Sequence, residues 1–212
     1  MPTAVYIIRH GAYEHRQSPQ GTEASCDFGL SDLGRKQVEA LRERLSQSRE
    51  IAADALFCST LPRARQTAEL IAPVLGAPPQ ALAEFCEWES GSEALGMDTF
   101  MAKFRALTPA ERRHHRFHPG CETIAEFTAR VQGKLKDLLV LFEGKTLVLV
   151  VHGGVVEAAF SWFLGFGPGP FVGGFPAAGH TSITLWRRSS PQADWVQEFA
   201  NDTHHLRSGG RP

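Results

Sequence analysis

Two stretches of this chain place a histidine and a glycine at the end of an apolar run. Val5-Tyr6-Ile7-Ile8 leads into Arg9-His10-Gly11, and Thr146-Leu147-Val148-Leu149-Val150-Val151 leads into His152-Gly153-Gly154. Imidazole changes charge near neutral pH and can act as nucleophile, acid or base, so two histidines delivered in the same way suggest that both face one site. Arg63 follows Ser59-Thr60-Leu61-Pro62. Pro62 suits the first turn of a helix, with Thr60 or Ser59 as its cap. A cation in that turn opposes the helix dipole. Its presence is best explained by an anion shared with the free backbone N–H groups. Arg65 reads as solvated. Between Gln80 and Gly91 three carboxylates, Glu84, Glu87 and Glu89, stand among apolar residues, and one of them could serve as a catalytic acid.

Elements must hold these groups together. The two apolar runs read as strands buried on both faces, which are parallel strands in an α/β sheet. Charged residues past their carboxyl ends lie where ligands bind in such sheets. Ser31 caps a helix from Asp32 to Leu45, with Leu33, Val38, Leu41 and Leu45 on its apolar stripe. Asp54–Ser59 is a short strand, followed by the helix carrying Arg63, which Leu75-Gly76-Ala77-Pro78-Pro79 closes. Residues 12–21 read as a loop walling the site. Met97, Phe100, Met101 and Phe104 suggest an amphipathic helix, and Pro109 opens another. The segment from about 92 to 120 reads as an insertion folding over the site. Glu122–Phe142 is a long helix with Ile124, Phe127, Val131, Leu135, Leu138 and Leu139 inward, and Val155–Leu164 is another. Gly165–Gly174 is a Gly/Pro-rich loop. Thr181–Trp186 and Trp195–Phe199 look like an edge hairpin, and the tail from Ser208 is expected to be mobile.

The 212 residues suffice for one good-sized core, and a net charge of −1 gives no electrostatic footprint for nucleic acid or membrane. No apolar run reaches membrane-spanning length, and the first strand begins too early for a leader. The cysteines Cys26, Cys58, Cys86 and Cys121 form no C-x-x-C pair. A zinc site is not expected, and the chain reads as cytoplasmic with reduced thiols.

The ordered set of motifs resembles the histidine phosphatase superfamily, which includes the cofactor-dependent phosphoglycerate mutases. Arg9-His10-Gly11 after an apolar strand is its signature. Leu30-Ser31-Asp32-Leu33-Gly34 with Gln37-Val38 looks like its Leu-Thr-x-x-Gly-x-x-Gln-Ala segment. Ser59-Thr60-Leu61-Pro62-Arg63-Ala64-Arg65-Gln66-Thr67-Ala68 resembles its Ser-x-x-x-Arg-Ala-x-x-Thr-Ala segment. Gly120-Cys121-Glu122-Thr123 with Arg130-Val131 resembles its Gly-Glu-Ser/Thr…Arg-Val segment. Val151-His152-Gly153-Gly154 matches the second catalytic histidine, and Asn201-Asp202-Thr203-His204-His205-Leu206 a common ending.

The resemblance implies one domain over 1–212, a three-layer α/β/α sandwich with a mostly parallel central sheet. It also implies a phosphohistidine intermediate with no cofactor and no metal. His10 would be the nucleophile, kept neutral by two neighbouring arginines, its second ring nitrogen donating to a carbonyl or carboxylate. Arg9 and Arg63 would grip the phosphoryl oxygens, and His152 would attend the transferring group. The acid falls in a Leu-x-Glu motif. Leu82-Ala83-Glu84 fits by letter and Phe85-Cys86-Glu87-Trp88 by position, and Glu87 is preferred. His180 stands where many members carry an Asn and is a possible auxiliary donor. Mutases usually follow Arg-His-Gly with Glu or Gln, then Ser or Thr, then Asn; Ala12, Tyr13 and Glu14-His15-Arg16 replace them here. That points to a phosphatase acting on a small phosphorylated metabolite or phosphoprotein, with a homodimer possible. The pairs His114-His115 and His204-His205 make poor chelates, since neighbouring residues do not share a face, and read as solvated. Arg112, Arg113 and Arg116 read as a solvated helix face, and Phe85 and Trp88 as core.

Overall fold

The computed structural model describes residues 1–16, 26–167 and 175–207. Among the described residues eight strands and seven helices follow one another, and six of the strands form one sheet. β1 (Thr3–Arg9) leads into a separate two-stranded ribbon, β2 (Tyr13–Arg16) with β3 (Cys26–Leu30). Then come α1 (Asp32–Ser48), β4 (Ala55–Ser59), α2 (Pro62–Leu75) and β5 (Pro79–Leu82). A 3₁₀ turn (Ala83–Phe85) and three short helices follow: α3 (Ser92–Leu95), α4 (Met97–Ala106) and α5 (Pro109–His114). α6 (Ile124–Leu141), β6 (Thr146–Val151), α7 (Gly153–Phe163), β7 (Ile183–Arg188) and β8 (Val196–Asp202) complete the order.

The main sheet runs β5-β4-β6-β1-β7-β8. Its first four strands are parallel and the edge hairpin is antiparallel. The alternating side chains of β1 explain the three layers. Ala4, Tyr6 and Ile8 join Val148 and Val150 under α1 and α2, where Val38, Leu41, Ala68 and Ile71 are buried. Val5 and Ile7 join Leu147, Leu149 and Val151 under α6 and α7, where Val131, Leu135, Val155 and Val156 are buried. Each aliphatic side chain so enclosed contributes roughly 1.5–3 kcal/mol, which explains why the middle of both strands is dominated by Val, Ile and Leu.

Several expectations change. Tyr13–Arg16, read as loop, is a strand paired with β3; residues 17–21 of the expected wall, residues 168–174 of the expected Gly/Pro loop and the tail from Ser208 lie outside the described residues. Leu33 is exposed, and the inward stripe of α1 is Gly34, Val38, Leu41 and Leu45. Leu33 lies one residue, about 100° of helix rotation, off that stripe. In α4 only Phe100 is buried, and Met97 faces solvent. Neither Ser59 nor Thr60 caps α2; Leu61 occupies that position without a side-chain bond, and Ser59 Oγ accepts from Leu61 N. His205 is buried rather than solvated, and its Nε2 bonds Thr181 Oγ1 at 2.9 Å. Arg112 and Arg116 bond the chain instead of water alone: Arg112 Nε donates to Phe104 O, and Arg116 to Cys121 O and Glu126. No helix among the described residues is long and apolar enough to cross a membrane.

Candidate active site

β1 and β6 are neighbours in parallel register, Arg9 opposite Val151. His10 N donates to Val151 O at 3.0 Å, so both strands end at one level and both histidines emerge together. Their rings lie 5.0 Å apart between centroids. The chain after His10 is held by residues of the flanking helices. Thr67 Oγ1 accepts from Gly11 N at 3.2 Å and Gln37 Oε1 from Ala12 N at 2.8 Å, while Gln66 Oε1 accepts from Leu30 N at 2.8 Å in the adjoining β3. Gly11 and Gly34 let the turn pass close over α1. A Cβ on Gly11 would stand 2.8 Å from Gly34 O, and one on Gly34 would strike the Ala12 carbonyl.

The hydrogen bonds of His10 fix its tautomer. A carbonyl can only accept, so Nδ1 donates to Gly11 O at 2.7 Å. A guanidinium can only donate, so Nε2 is an unprotonated acceptor for Arg63 Nε at 3.1 Å. The same Arg63 Nε reaches Nδ1 of His152 at 3.2 Å, which leaves the His152 proton on Nε2. Burial pushes the His10 pKa down to about 3, and Arg63 and Arg9 add to that push against the Gly11 bond. His152 is likewise held well below the usual range by burial, then by His10 and the arginines. Both rings are therefore neutral at physiological pH, and the free lone pair of His10 points toward a cation.

Arg63 takes its orientation from a residue the sequence reading did not name. Asp27 Oδ2 accepts from Arg63 Nη1 at 2.9 Å and from Arg63 N at 3.3 Å. The anion expected at the start of α2 is thus a carboxylate of the protein itself. Tyr13, on β2, lays its ring over the guanidinium at 4.4 Å and stands nearly perpendicular to the His10 ring, 5.4 Å between centroids. Nothing local marks Asp27 in the sequence, because its partner lies across the fold.

Arg9 donates Nη1 to Ala178 O at 2.6 Å. His180 sits in the same strap, its ring 5.7 Å from that of His10. Burial, then the Arg9 charge, lowers its pKa. The strap is pinned from the chain's end: Asn201 Oδ1 accepts from Gly179 N at 2.6 Å, and His205 holds Thr181, whose N–H donates to the carbonyls of Arg9 and His10. Thr181 is buried and adopts φ 57°, a costly conformation for a β-branched residue that these bonds maintain. Arg9 Nε and His152 Nε2 are buried donors with no hydrogen-bond partner among the described residues. A donor left so costs about 1–3 kcal/mol, and an oxyanion would satisfy both.

Among the three carboxylates the structure brings Glu87 to the histidines' end of the sheet. Its Oε2 accepts from Gly154 N at 3.1 Å, in the first turn of α7, and its Oε1 accepts from Trp88 N at 3.0 Å. A Cβ on Gly154 would overlap Oε1. Glu84 turns away and pairs with Lys134 at 3.1 Å, and Glu89 is exposed. Phe85 is core, while Trp88 packs on Phe100, Phe104 and Phe117 of the 92–120 segment. Arg65 lies on the surface beside Glu69. Cys58, Cys86 and Cys121 are free thiols, and the described residues contain no cluster of three or more His, Cys, Asp or Glu able to hold a metal ion. Arg9, His10, Arg63, His152, His180 and Glu87 therefore gather at the same end of the sheet.

Comparison with known proteins gives the same frame. The sequence profile of the histidine phosphatase superfamily (branch 1) matches residues 5–200. A Bacillus subtilis (strain 168) protein described as an uncharacterized phosphatase, PhoE, is 29% identical over 78% of this chain and 80% of its own length. A probable phosphoglycerate mutase, GpmB, of Enterobacter sp. (strain 638) is 27% identical over 95% and 94%. The solved structure of a mycobacterial glucosyl-3-phosphoglycerate phosphatase in complex with inorganic phosphate superposes with a TM-score of 0.71, at 24% identity, over 95% and 98% of the two chains.

Proposed function

Because the chain belongs to the histidine phosphatase superfamily (branch 1), we propose that it is a metal-independent phosphatase that hydrolyses a phosphomonoester through phospho-His10. The observation that carries this reading is the tautomer of His10: Nδ1–H anchored on Gly11 O and a bare Nε2 beside Arg63. A phosphoryl dianion enters between Arg9, Arg63 and His152, whose donors match the charge that spreads over its oxygens. His10 Nε2 attacks phosphorus as the P–O bond to the alcohol breaks. The alcohol leaves with a proton from the Glu87 carboxyl. The resulting carboxylate then takes a proton from water, whose oxygen attacks the phosphorus of phospho-His10. The P–N bond breaks, orthophosphate departs, and His10 and Glu87 return to their starting states. His180 donates to a peripheral oxygen.

The relatives support a small phosphorylated metabolite as substrate class, since they include a phosphatase of a phosphorylated glyceric acid derivative and one in complex with phosphoserine. Tyr13 favours hydrolysis over mutase activity. Its ring lies on Arg63 and His10, where a mutase needs polar groups for the glycerate carboxylate. A screen of phosphomonoesters for phosphate release, with and without chelator, tests the reading. Chelator-resistant release that vanishes in His10→Ala is expected. Full activity in His10→Ala, or turnover only as a bisphosphoglycerate-primed mutase, would overturn it.

A further inference from the structure

The carboxylate that serves as proton donor sits on a segment with almost no regular structure. The 3₁₀ turn ends at Phe85, and Cys86 to Gly91 belong to no helix or strand. Backbone of this kind wanders unless its polar groups are tied, and a donor displaced by an ångström loses much of its effect. Two charged residues outside the catalytic cluster supply the ties. Arg130, on α6, sends Nη1 to three carbonyls in succession: Glu84 O at 2.7 Å, Cys86 O at 3.3 Å and Ala83 O at 3.4 Å. Its other face forms a two-pronged pair with Glu122, Nε to Oε1 at 2.7 Å and Nη2 to Oε2 at 2.6 Å. Glu122 then holds the segment on the far side of Glu87. Its carbonyl accepts from Trp88 Nε1 at 3.0 Å, and its N–H donates to Glu89 O at 3.0 Å.

Glu87 thus lies between two grips, 83–86 and 88–89, made by one ion pair. Only a planar fork can span a carboxylate on one side and a row of carbonyls on the other. The pair is about three-quarters buried, each side chain 24% exposed, so it is more than a screened surface contact. The charge of Arg130 is also felt at His152, which places the pair at the site's edge. The side chain of Glu84, the rival by letter, points to Lys134, while its carbonyl serves the Arg130 grip.

We propose that Arg130 and Glu122 are positioning residues for proton transfer: they set the Glu87 carboxyl against the leaving oxygen without touching substrate. This rests on the reading of Glu87 as general acid. The test is the leaving-group dependence of kcat/KM, which reports events only up to alcohol release. An alkyl phosphate needs the proton, whereas p-nitrophenyl phosphate expels a stable phenoxide without one. Wild type, Glu87→Gln, Arg130→Gln, Arg130→Lys and Glu122→Gln are compared over an aryl-to-alkyl series, with the inhibition constant of inorganic phosphate measured for each.

Glu87→Gln should lose alkyl phosphate turnover by about 100-fold or more, the usual scale of a general acid, and p-nitrophenyl phosphate turnover far less. Arg130→Gln and Glu122→Gln should show the same steepening at about 10–30-fold, and Arg130→Lys an intermediate one. Phosphate inhibition should stay within about twofold, because Arg9, Arg63 and His152 are untouched. If Glu87→Gln leaves the slope unchanged, the general-acid reading fails. If Glu87→Gln steepens it and the folded Arg130 and Glu122 variants do not, the positioning role fails. Equal losses on aryl and alkyl substrates with weakened phosphate inhibition would also overturn it, as the mark of a general loss of order. Should Arg130→Gln not fold, Arg130→Lys and Glu122→Gln, which keep the volume, carry the same decision.

Discussion

Asp27 holds Arg63 by two bonds to one carboxylate oxygen, one from the guanidinium at 2.9 Å and one from the backbone N–H at 3.3 Å. The bond orients the arginine whose Nε faces both histidines. Hydrogen bonds to charged groups contribute about 1.5–3 kcal/mol, so Asp27→Ala should lower kcat/KM by roughly tenfold or more. Steady-state kinetics on a single phosphomonoester checks this. Unchanged kinetics would mean that Arg63 finds its place without Asp27.

Three buried histidines, His10, His152 and His205, and the half-buried His180 give stability a pH dependence whose sign is set. Burial lowers the pKa of His10 to about 3 and that of His205 to about 4, and lowers His152 and His180 as well. In the unfolded chain each titrates near 6.5. The unfolded state then binds more protons below that value, so stability is fully present above it and declines as pH falls toward the folded values. The slope approaches about 1.4 kcal/mol per pH unit for a histidine whose folded value lies as far down as that of His10 or His205. Melting temperature should fall steadily from pH 7 to pH 4.5, and His205→Gln should flatten the fall. A melting temperature independent of pH over that range would contradict the burial of neutral rings.

Gly154→Ala separates folding from catalysis. Alanine in a helix is favoured over glycine by about 1 kcal/mol, yet its Cβ would occupy the place of a Glu87 oxygen. The variant should fold with native-like circular dichroism and lose about 100-fold in alkyl phosphate turnover. Wild-type turnover would show that Glu87 has no need to approach the start of α7.

Tyr13→Ala removes the ring that lies 4.4 Å above the Arg63 guanidinium. A partly desolvated cation–π contact contributes about 1 kcal/mol, so KM should rise by about fivefold with kcat nearly unchanged. A drop in kcat instead would place Tyr13 in the chemistry rather than in binding.

The central strands were legible because β1 and β6 are uninterrupted apolar runs, and their histidines followed from the strand ends. Glu87 was legible by counting along the chain but not by chemistry, since Glu84 has the same side chain and the two are told apart by tertiary partners, Lys134 for Glu84 and Gly154 N for Glu87. Tyr13–Arg16 was missed because a four-residue strand with two or three charges lacks the apolar alternation that marks a buried edge, and its partner lies across residues 17–25. Asp27, His205 and the basic residues Arg112 and Arg116 were missed or read as solvated for one reason. Their partners are Arg63, Thr181, the Phe104 carbonyl on α4, and the Cys121 carbonyl with the Glu126 carboxylate, and no apolar periodicity records such bonds. Leu33 shows the opposite error, an apolar residue one position off the buried stripe.

Trapping the phosphoenzyme tests the central claim most directly. Wild type and His10→Ala would be mixed with a phosphomonoester labelled at phosphorus, quenched within milliseconds in base, and the labelled peptide sequenced. Acid-labile, base-stable label on His10 in wild type, absent from His10→Ala, is the expected result. Label on any other residue, or phosphate release at full rate with no label on His10 at any time, would contradict the account.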